Sequence, residues 1–422
     1  MSESQGSARP TTPPRERTTA IRQRLAELRG PTAVPRPLDA RALAALAANP
    51  GCRRRALLDG AGVDKGALAE ALGSPSAAFG QSQFAIARGN TFEARVKSDG
   101  GTELLRLLHE HTGGQAPEGA AVPDLAAAGP EGRAARTALA LREATASGGW
   151  TLLDHPMLAL EVAGSPAYLE PDAVVVAPDG RWTVVEIKSF PMIDAAADPS
   201  KVGAAARQAA VYVLALERVA GLVGGALAPA DRVAHSVLLV CPKDFSNLPT
   251  ASLVDVRKQL SVTRRQLARL TRIEEIADGL PPGATFDPER PCEELTGAVE
   301  AVPASYAPEC LAACELAFHC RDRARAVDAV TALGRGLRAE LGGLTSVGAV
   351  LDAARGHTGD ASDPAVAALR RAAALRAEAL AGAEVRGGVG ATAGAGATGA
   401  VGATAGAGAT AGVGARGGAV CR

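Results

Sequence analysis

Aromatic side chains make up only 3% of the 422 residues, so the hydrophobic core has to be built mainly from Leu, Val and Ala. Net charge is missing as well. The 45 Lys and Arg balance the 45 Asp and Glu, so overall charge points to no class of partner and only local clusters can. No apolar run reaches the roughly 18 residues that a membrane-spanning helix needs. The opening MSESQGSARPTTPPRER has no apolar stretch of the signal-peptide kind, and a cytoplasmic location without membrane contact is the resulting expectation. A G-x-x-x-x-G-K-[ST] loop is also lacking, which excludes a P-loop motor in this chain. What is present is 47% hydrophobic residues, enough for one large domain or two modest ones.

Composition changes along the chain divide it. Residues 1–40 are rich in Pro, Thr and Arg and read as a disordered arm, with one helical turn around Ile21–Leu28. Residues 41–145 read as mostly helical. From Trp150 the segments MLALEVAG, AYLEPDAVVVA and RWTVVEIKSF are short β-branched runs separated by Gly, Pro and Asp, the pattern of hairpins. A helix over Lys201–Val219 and a buried strand over Val233–Cys241 follow. Leu253, Val256, Leu260, Leu267 and Leu270 keep a helical period, which predicts one long amphipathic helix over Leu253–Ile276. Residues 279–309 read as a Pro-rich connection and 326–380 as helical. Residues 381–422 read as a disordered tail, where GATAGAGAT occurs twice, at 390–398 and 402–410. Hairpin, helix, strand and helix in that order predict an α/β centre.

Pro178-Asp179-Gly180 suits a three-residue hairpin loop, with Pro presetting the first turn position and Gly free to close it left-handed. If Ala177 pairs with Arg181, Asp172 lies directly across from Glu186. Alternation then puts Glu186 and Lys188 on one face. Two carboxylates side by side stay ionised only with a cation between them. A hard divalent ion, Mg²⁺ or Mn²⁺, suits such oxygen ligands. It can polarise a phosphodiester and acidify a bound water, while Lys188 steadies developing negative charge. The plain alternative is a solvated Glu–Lys pair on an exposed hairpin. Against it, Val174, Val175, Val184, Val185 and Ile187 predict a largely buried strand pair, where unpaired charges are costly.

Pro171-Asp172 followed by Glu186-Ile187-Lys188 resembles the signature of the PD-(D/E)XK nucleases. Gln208-Ala-Ala-Val-Tyr212, on the next helix, is similar to the Q-x-x-x-Y motif of the RecB-like and Cas4-like branch, and its two polar residues share a helical face. The resemblance covers about residues 45–355. It implies a restriction-endonuclease-like mixed sheet flanked by helices and hydrolysis of DNA, with residues 41–325 as the nuclease domain. Asp172 and Glu186 would hold the metal, Lys188 would assist the chemistry, and Gln208 and Tyr212 would position the strand. It also implies a further ligand from a preceding helix. Gly89-Asn-Thr-Phe-Glu93 offers Glu93 where the branch usually has His, and an ordinary helical glutamate is the alternative. A separate helicase, or a recombination or defence partner, is implied as well.

One early cysteine, Cys52, and three late ones, Cys310, Cys314 and Cys320, resemble the iron–sulfur staple of the same branch, with one extra residue in the first late gap. The resemblance implies a [4Fe–4S] cluster closing a helical cap. Thiolates also suit zinc, and Cys292 is an alternative fourth ligand. Cys241, in an apolar run, reads as core. Arg53, Arg54 and Arg55 flank the first cysteine, and Arg321, Arg323 and Arg325 follow the last. Both groups are candidates for phosphate contact. Lys258, Arg265, Arg269 and Arg272 read as a solvated helix face. Two short helices joined through Gly342-Gly343 resemble a DNA-gripping helix–turn–helix, or simply a cap. The competing class is a non-catalytic iron–sulfur DNA-binding or scaffold subunit that keeps the fold.

Overall fold

The computed structural model describes residues 14–75, 83–223, 227–244, 246–327, 330 and 335–392. The chain forms two compact units. The first comprises residues up to Ser305 together with Glu309–Ala317, and the second comprises Tyr306–Pro308 and residues from Phe318 onward.

Among the described residues, the first unit opens with the helices α1 (Pro14–Arg29), α2 (Ala40–Ala48), α3 (Arg53–Ala61), α4 (Lys65–Ala71), α5 (Gln83–Lys97), α6 (Thr102–Thr112) and α7 (Gly129–Ser147). Asp39 and Asp64 cap α2 and α4 by accepting from backbone N–H groups of the first turn. Five strands come next: β1 (Thr151–Asp154), β2 (Leu158–Val162), β3 (Ser165–Leu169), β4 (Ala173–Val176) and β5 (Trp182–Ile187). Then follow α8 (Pro199–Ala220), α9 (Pro229–Arg232), β6 (Ser236–Pro242), β7 (Pro249–Asp255), α10 (Arg257–Leu267), α11 (Ile273–Asp278) and α12 (Cys292–Glu300).

Strands β1, β4, β5, β6 and β7 form one mixed sheet in that order, and β2 and β3 form a separate hairpin. Only the β5–β6 pair is parallel. A parallel pair needs a long crossover, which α8 provides. One sheet face, carrying Ala173, Val175, Val185, Ile187, Leu238 and Val240, packs against Phe92 and Val96 of α5 and the leucines of α6. The other meets the alanine-rich face of α8 with Ala205, Ala206 and Ala209 buried. Small alanines let a helix approach a valine-rich sheet closely, and the core is indeed Leu, Val and Ala.

Several expectations need correction. Residues 14–40 are not a disordered arm. Helix α1 packs on α3 and α11, buries Leu25 and Leu28, and is tied down by Phe286 N–H donating to the Leu28 carbonyl at 2.7 Å. The Pro and Arg composition hid two leucines that have a core to join. Residues 1–13 lie outside the described part. The Leu253–Ile276 helix does not exist as one element. Leu253 and Val254 are in β7, and only α10 and α11 are helical. Leu253, Val256 and Leu260 fit a helical period by coincidence, while β6 offers an edge for β7 to pair with. The Pro-rich connection contains α12.

The second unit holds most of α13 (Ala317–Ala326), α14 (Arg335–Glu340), α15 (Val347–Arg355) and α16 (Pro364–Thr392). Helices α14 and α15 are the two short helices expected around Gly342-Gly343. Residues 381–392 are helical rather than disordered, continuing α16 from its alanine-rich first half despite four glycines. The remainder of the repeat tail lies outside the described residues.

Candidate active site

The turn forms as the sequence dictates. Ala177 N–H donates to Arg181 O and Gly180 N–H to Ala177 O, each at 2.9 Å, with Gly180 left-handed at φ +82°. The ladder pairs Ala173 with Val185 and Val174 with Val184. One step further along, Asp172 faces Glu186. Asp172 Oδ2 accepts the Ile187 N–H at 2.6 Å, which fixes that carboxylate at the end of β5. Lys188 N–H donates to Val240 O at 2.9 Å, so β6 holds the lysine backbone in register.

Glu186 is 1% exposed. Its Oε2 touches the Lys188 ammonium, yet neither carboxylate oxygen has a hydrogen bond of good geometry. Burial, reinforced by the neighbouring Asp172 charge and opposed by Lys188, pushes its carboxyl up to about 7. Partial burial of Lys188 works against its charge, but Glu186 and Asp172 outweigh that and raise its pKa. Its Nζ is 3.7 Å from Asp172 Oδ2. The cluster thus holds two carboxylates around one ammonium, with Glu186 under-satisfied.

Gln208 Nε2 donates to Tyr212 Oη at 3.0 Å, and Tyr212 donates to Glu170 O at 3.2 Å. Burial and the nearby Glu186 charge raise the Tyr212 phenol. The Q-x-x-x-Y pair therefore braces α8 against the chain just before Asp172.

Glu93 reaches the same site. A β-carbon on Gly89, one helical turn before it, would come 3.9 Å from Ser189 Oγ, so α5 lies beside the residue following Lys188. Glu93 Oε1 is 3.1 Å from His155 Nε2 and 2.6 Å from Lys97 Nζ. The His155 hydrogen bond, with Lys97, holds the Glu93 carboxyl down to about 2 against the effect of burial. His155 is raised in return, chiefly by Glu93. Lys97 Nζ also donates to Asp154 Oδ1 at 2.6 Å and to the Asp172 carbonyl at 2.7 Å. Sequence reasoning missed Lys97, Asp154 and His155. The four-residue spacing of Glu93 and Lys97 on a helix was a usable signal. The left-handed backbone of His155, φ 44°, was not.

Among the described residues, no three His, Cys, Asp or Glu side chains stand together as a ready metal site. Around Asp172 and Glu186 the space between carboxylates is taken by the Lys188 ammonium. The donor chemistry nevertheless fits a hard divalent ion, because Glu186 is a buried carboxylate whose oxygens lack proper donors.

The cysteines are less gathered. Cys52 precedes α3, and its N–H donates to Asn49 O. The Asn49 amide in turn donates to Cys310 Sγ at 3.4 Å. Cys314 is buried, which pushes its thiol up to about 12. These three belong to the first unit, and Cys320, on α13, to the second. Cys292 opens α12, and Cys241 is core as expected.

Arg54 and Arg55 are not surface phosphate contacts. Both are 7% exposed. Arg54 Nε donates to Val302 O at 3.1 Å. Arg55 Nε donates to Asp59 Oδ2 at 3.0 Å, and its Nη1 to Ala313 O. Buried carbonyls and Asp59 need these donors, so the two guanidinium groups tie α3 to residues 302–313. Arg53 is exposed. In the second unit, Arg323 is exposed, while Arg321 lies 4.8 Å from the Phe318 ring centroid. Among the described residues, no helix is long and apolar enough to cross a membrane.

No family model matches the chain, and neither a curated protein nor a solved structure is found similar to it.

Proposed function

We propose that this chain is a metal-dependent DNA nuclease of the PD-(D/E)XK type, hydrolysing phosphodiester bonds with Asp172, Glu186 and Lys188 at its centre. One observation carries the reading. Glu186 is a fully buried carboxylate facing Asp172, with Lys188 as its one ion-pair partner and no well-made hydrogen bond among the described residues. Such an arrangement costs stability, and a further cation joining it would offset that cost.

Asp172 and Glu186 would hold that ion, with Glu93 as a further ligand. A bound Mg²⁺ or Mn²⁺ supplies polarisation of the phosphodiester and a more acidic water. Lys188 keeps its proton beside the two carboxylates and stabilises negative charge on the phosphate oxygens as they develop it. Gln208 and Tyr212 hold the segment Glu170–Asp172 in place, which keeps Asp172 aimed across the hairpin. Phosphate contact along the strand falls to exposed bases such as Arg53, since Arg54 and Arg55 are committed to the fold.

A thiolate centre that includes Cys52, Cys310 and Cys314 of the first unit remains part of the proposal on the strength of their spacing, as [4Fe–4S] or as zinc. The Asn49 link between Cys52 and Cys310 supports it for the first unit. End-labelled single- and double-stranded DNA, incubated with and without Mn²⁺, tests the activity. Manganese-dependent cleavage that Lys188→Ala abolishes is the expected result. DNA binding without cleavage would instead identify a non-catalytic subunit.

A further inference from the structure

Lys97 has the surroundings of a metal ion. Its ammonium carries three N–H donors, and three oxygens from three separate segments receive them: Glu93 Oε1 at 2.6 Å from α5, Asp154 Oδ1 at 2.6 Å from β1, and the Asp172 carbonyl at 2.7 Å from the entry to β4. His155 Nε2 lies 3.2 Å away. The Lys97 side chain is 12% exposed, so little water shares the charge. A lysine that merely pinned α5 to the sheet would need one partner. Here a single cation collects two carboxylates and a carbonyl, and one of the carboxylates is Glu93 of the candidate site.

We propose that the Lys97 ammonium takes the place of a second metal ion, so that the candidate nuclease centre holds one divalent ion rather than two. Charge balance favours this. Glu93, Asp154, Asp172 and Glu186 set four negative charges against the two positive charges of Lys97 and Lys188. At most two negative charges remain, and fewer once His155 is protonated or Glu186 is neutral, so one divalent ion is the most that the cluster can neutralise. A second ion beside it would have to displace an ammonium already tethered in position, and tethering gives Lys97 an advantage that a free ion lacks. Without Lys97, the three oxygens that now receive its protons, from Glu93, Asp154 and the Asp172 carbonyl, are of the kind that Mn²⁺ takes, with the His155 nitrogen beside them. The assignment rests on the nuclease reading for the first ion only.

The test is Mn²⁺ stoichiometry, measured by the loss of free-ion electron paramagnetic resonance signal on titration of metal-free protein. One ion is expected for the wild type, two for Lys97→Ala, and one for Lys97→Ala combined with Asp154→Ala, which removes a pocket ligand outside the Asp172–Glu186 pair. Two ions in the wild type, or a folded Lys97→Ala protein that still binds one, would overturn the assignment and leave Lys97 a structural pin. If Lys97→Ala fails to fold in metal-free buffer, refolding is compared with and without Mn²⁺. Rescue by the ion supports the assignment and failure of rescue refutes it. A wild type that binds none while Lys97→Ala gains one upholds the Lys97 assignment and sinks the nuclease reading. The two failures are therefore separable.

Discussion

Replacing Glu186 by Gln removes the ionisable group whose burial is most at odds with its charge. Its carboxyl sits at about 7 in the fold against an ordinary 4.5. A raised carboxyl favours folding while it is protonated, so that contribution is complete below about 4.5 and is lost as pH rises to 7. Above 7 the folded chain carries the full cost of the buried charge. The gap corresponds to about 3 kcal/mol. For a unit of this size that is roughly 5 °C in melting temperature. The stability difference between Glu186→Gln and the metal-free wild type should therefore move by about 3 kcal/mol in favour of the variant from pH 4.5 to pH 8. Comparing the change across pH cancels the pH-independent part of losing the Lys188 contact. Thermal melts by circular dichroism in chelator, at four or five pH values, read it directly. Mn²⁺ should raise the wild-type melting point, most strongly at pH 8, and should leave the variant nearly unmoved. Parallel pH profiles for the two proteins, or an equal Mn²⁺ shift in both, would refute the view of Glu186 as a buried charge awaiting a cation.

Lys188→Ala should lower cleavage by about two to four orders of magnitude, as expected when one transition-state electrostatic contact is lost, and calorimetry should find that it still binds Mn²⁺. Asp172→Ala should lose both Mn²⁺ binding and cleavage in the same assays. Arg54→Ala should cost about 1–3 kcal/mol of stability by removing a donor from the buried Val302 carbonyl, while the salt dependence of DNA binding stays unchanged; a reduced salt slope would return Arg54 to the DNA surface. Anaerobically purified protein should contain iron and acid-labile sulfide, and stoichiometric zinc in their place would decide for a zinc centre.

The hairpin was legible because its information is local. Pro178 and Gly180 select the turn, the turn selects the register, and the register alone sets Asp172 opposite Glu186. The crossover helix and the parallel strand after it were legible for a similar reason, since alanine periodicity in α8 and the unbroken apolar run of β6 each point to a single element. Helix α1 and strand β7 were not, because both depend on distant partners. Leu25 and Leu28 become core only once α3 and α11 are in place, and Leu253 becomes strand only because β6 presents an edge.

The site divides along the same line. Residues that meet through one turn or one helical face, such as Asp172 with Glu186 or Gln208 with Tyr212, can be read from spacing. Lys97 meets Asp154 across 57 positions and Asp172 across 75, and no local rule brings them together. Arginine misleads for a related reason. Three consecutive residues, Arg53, Arg54 and Arg55, look like one basic patch, but in a helix they point in three directions and two of them turn inward. A run of like charges therefore identifies a nucleic-acid surface only after each side chain has been asked what buried oxygen it serves. For Arg54 the answer is Val302, for Arg55 it is Asp59 and Ala313, and only Arg53 is left facing outward for a phosphate.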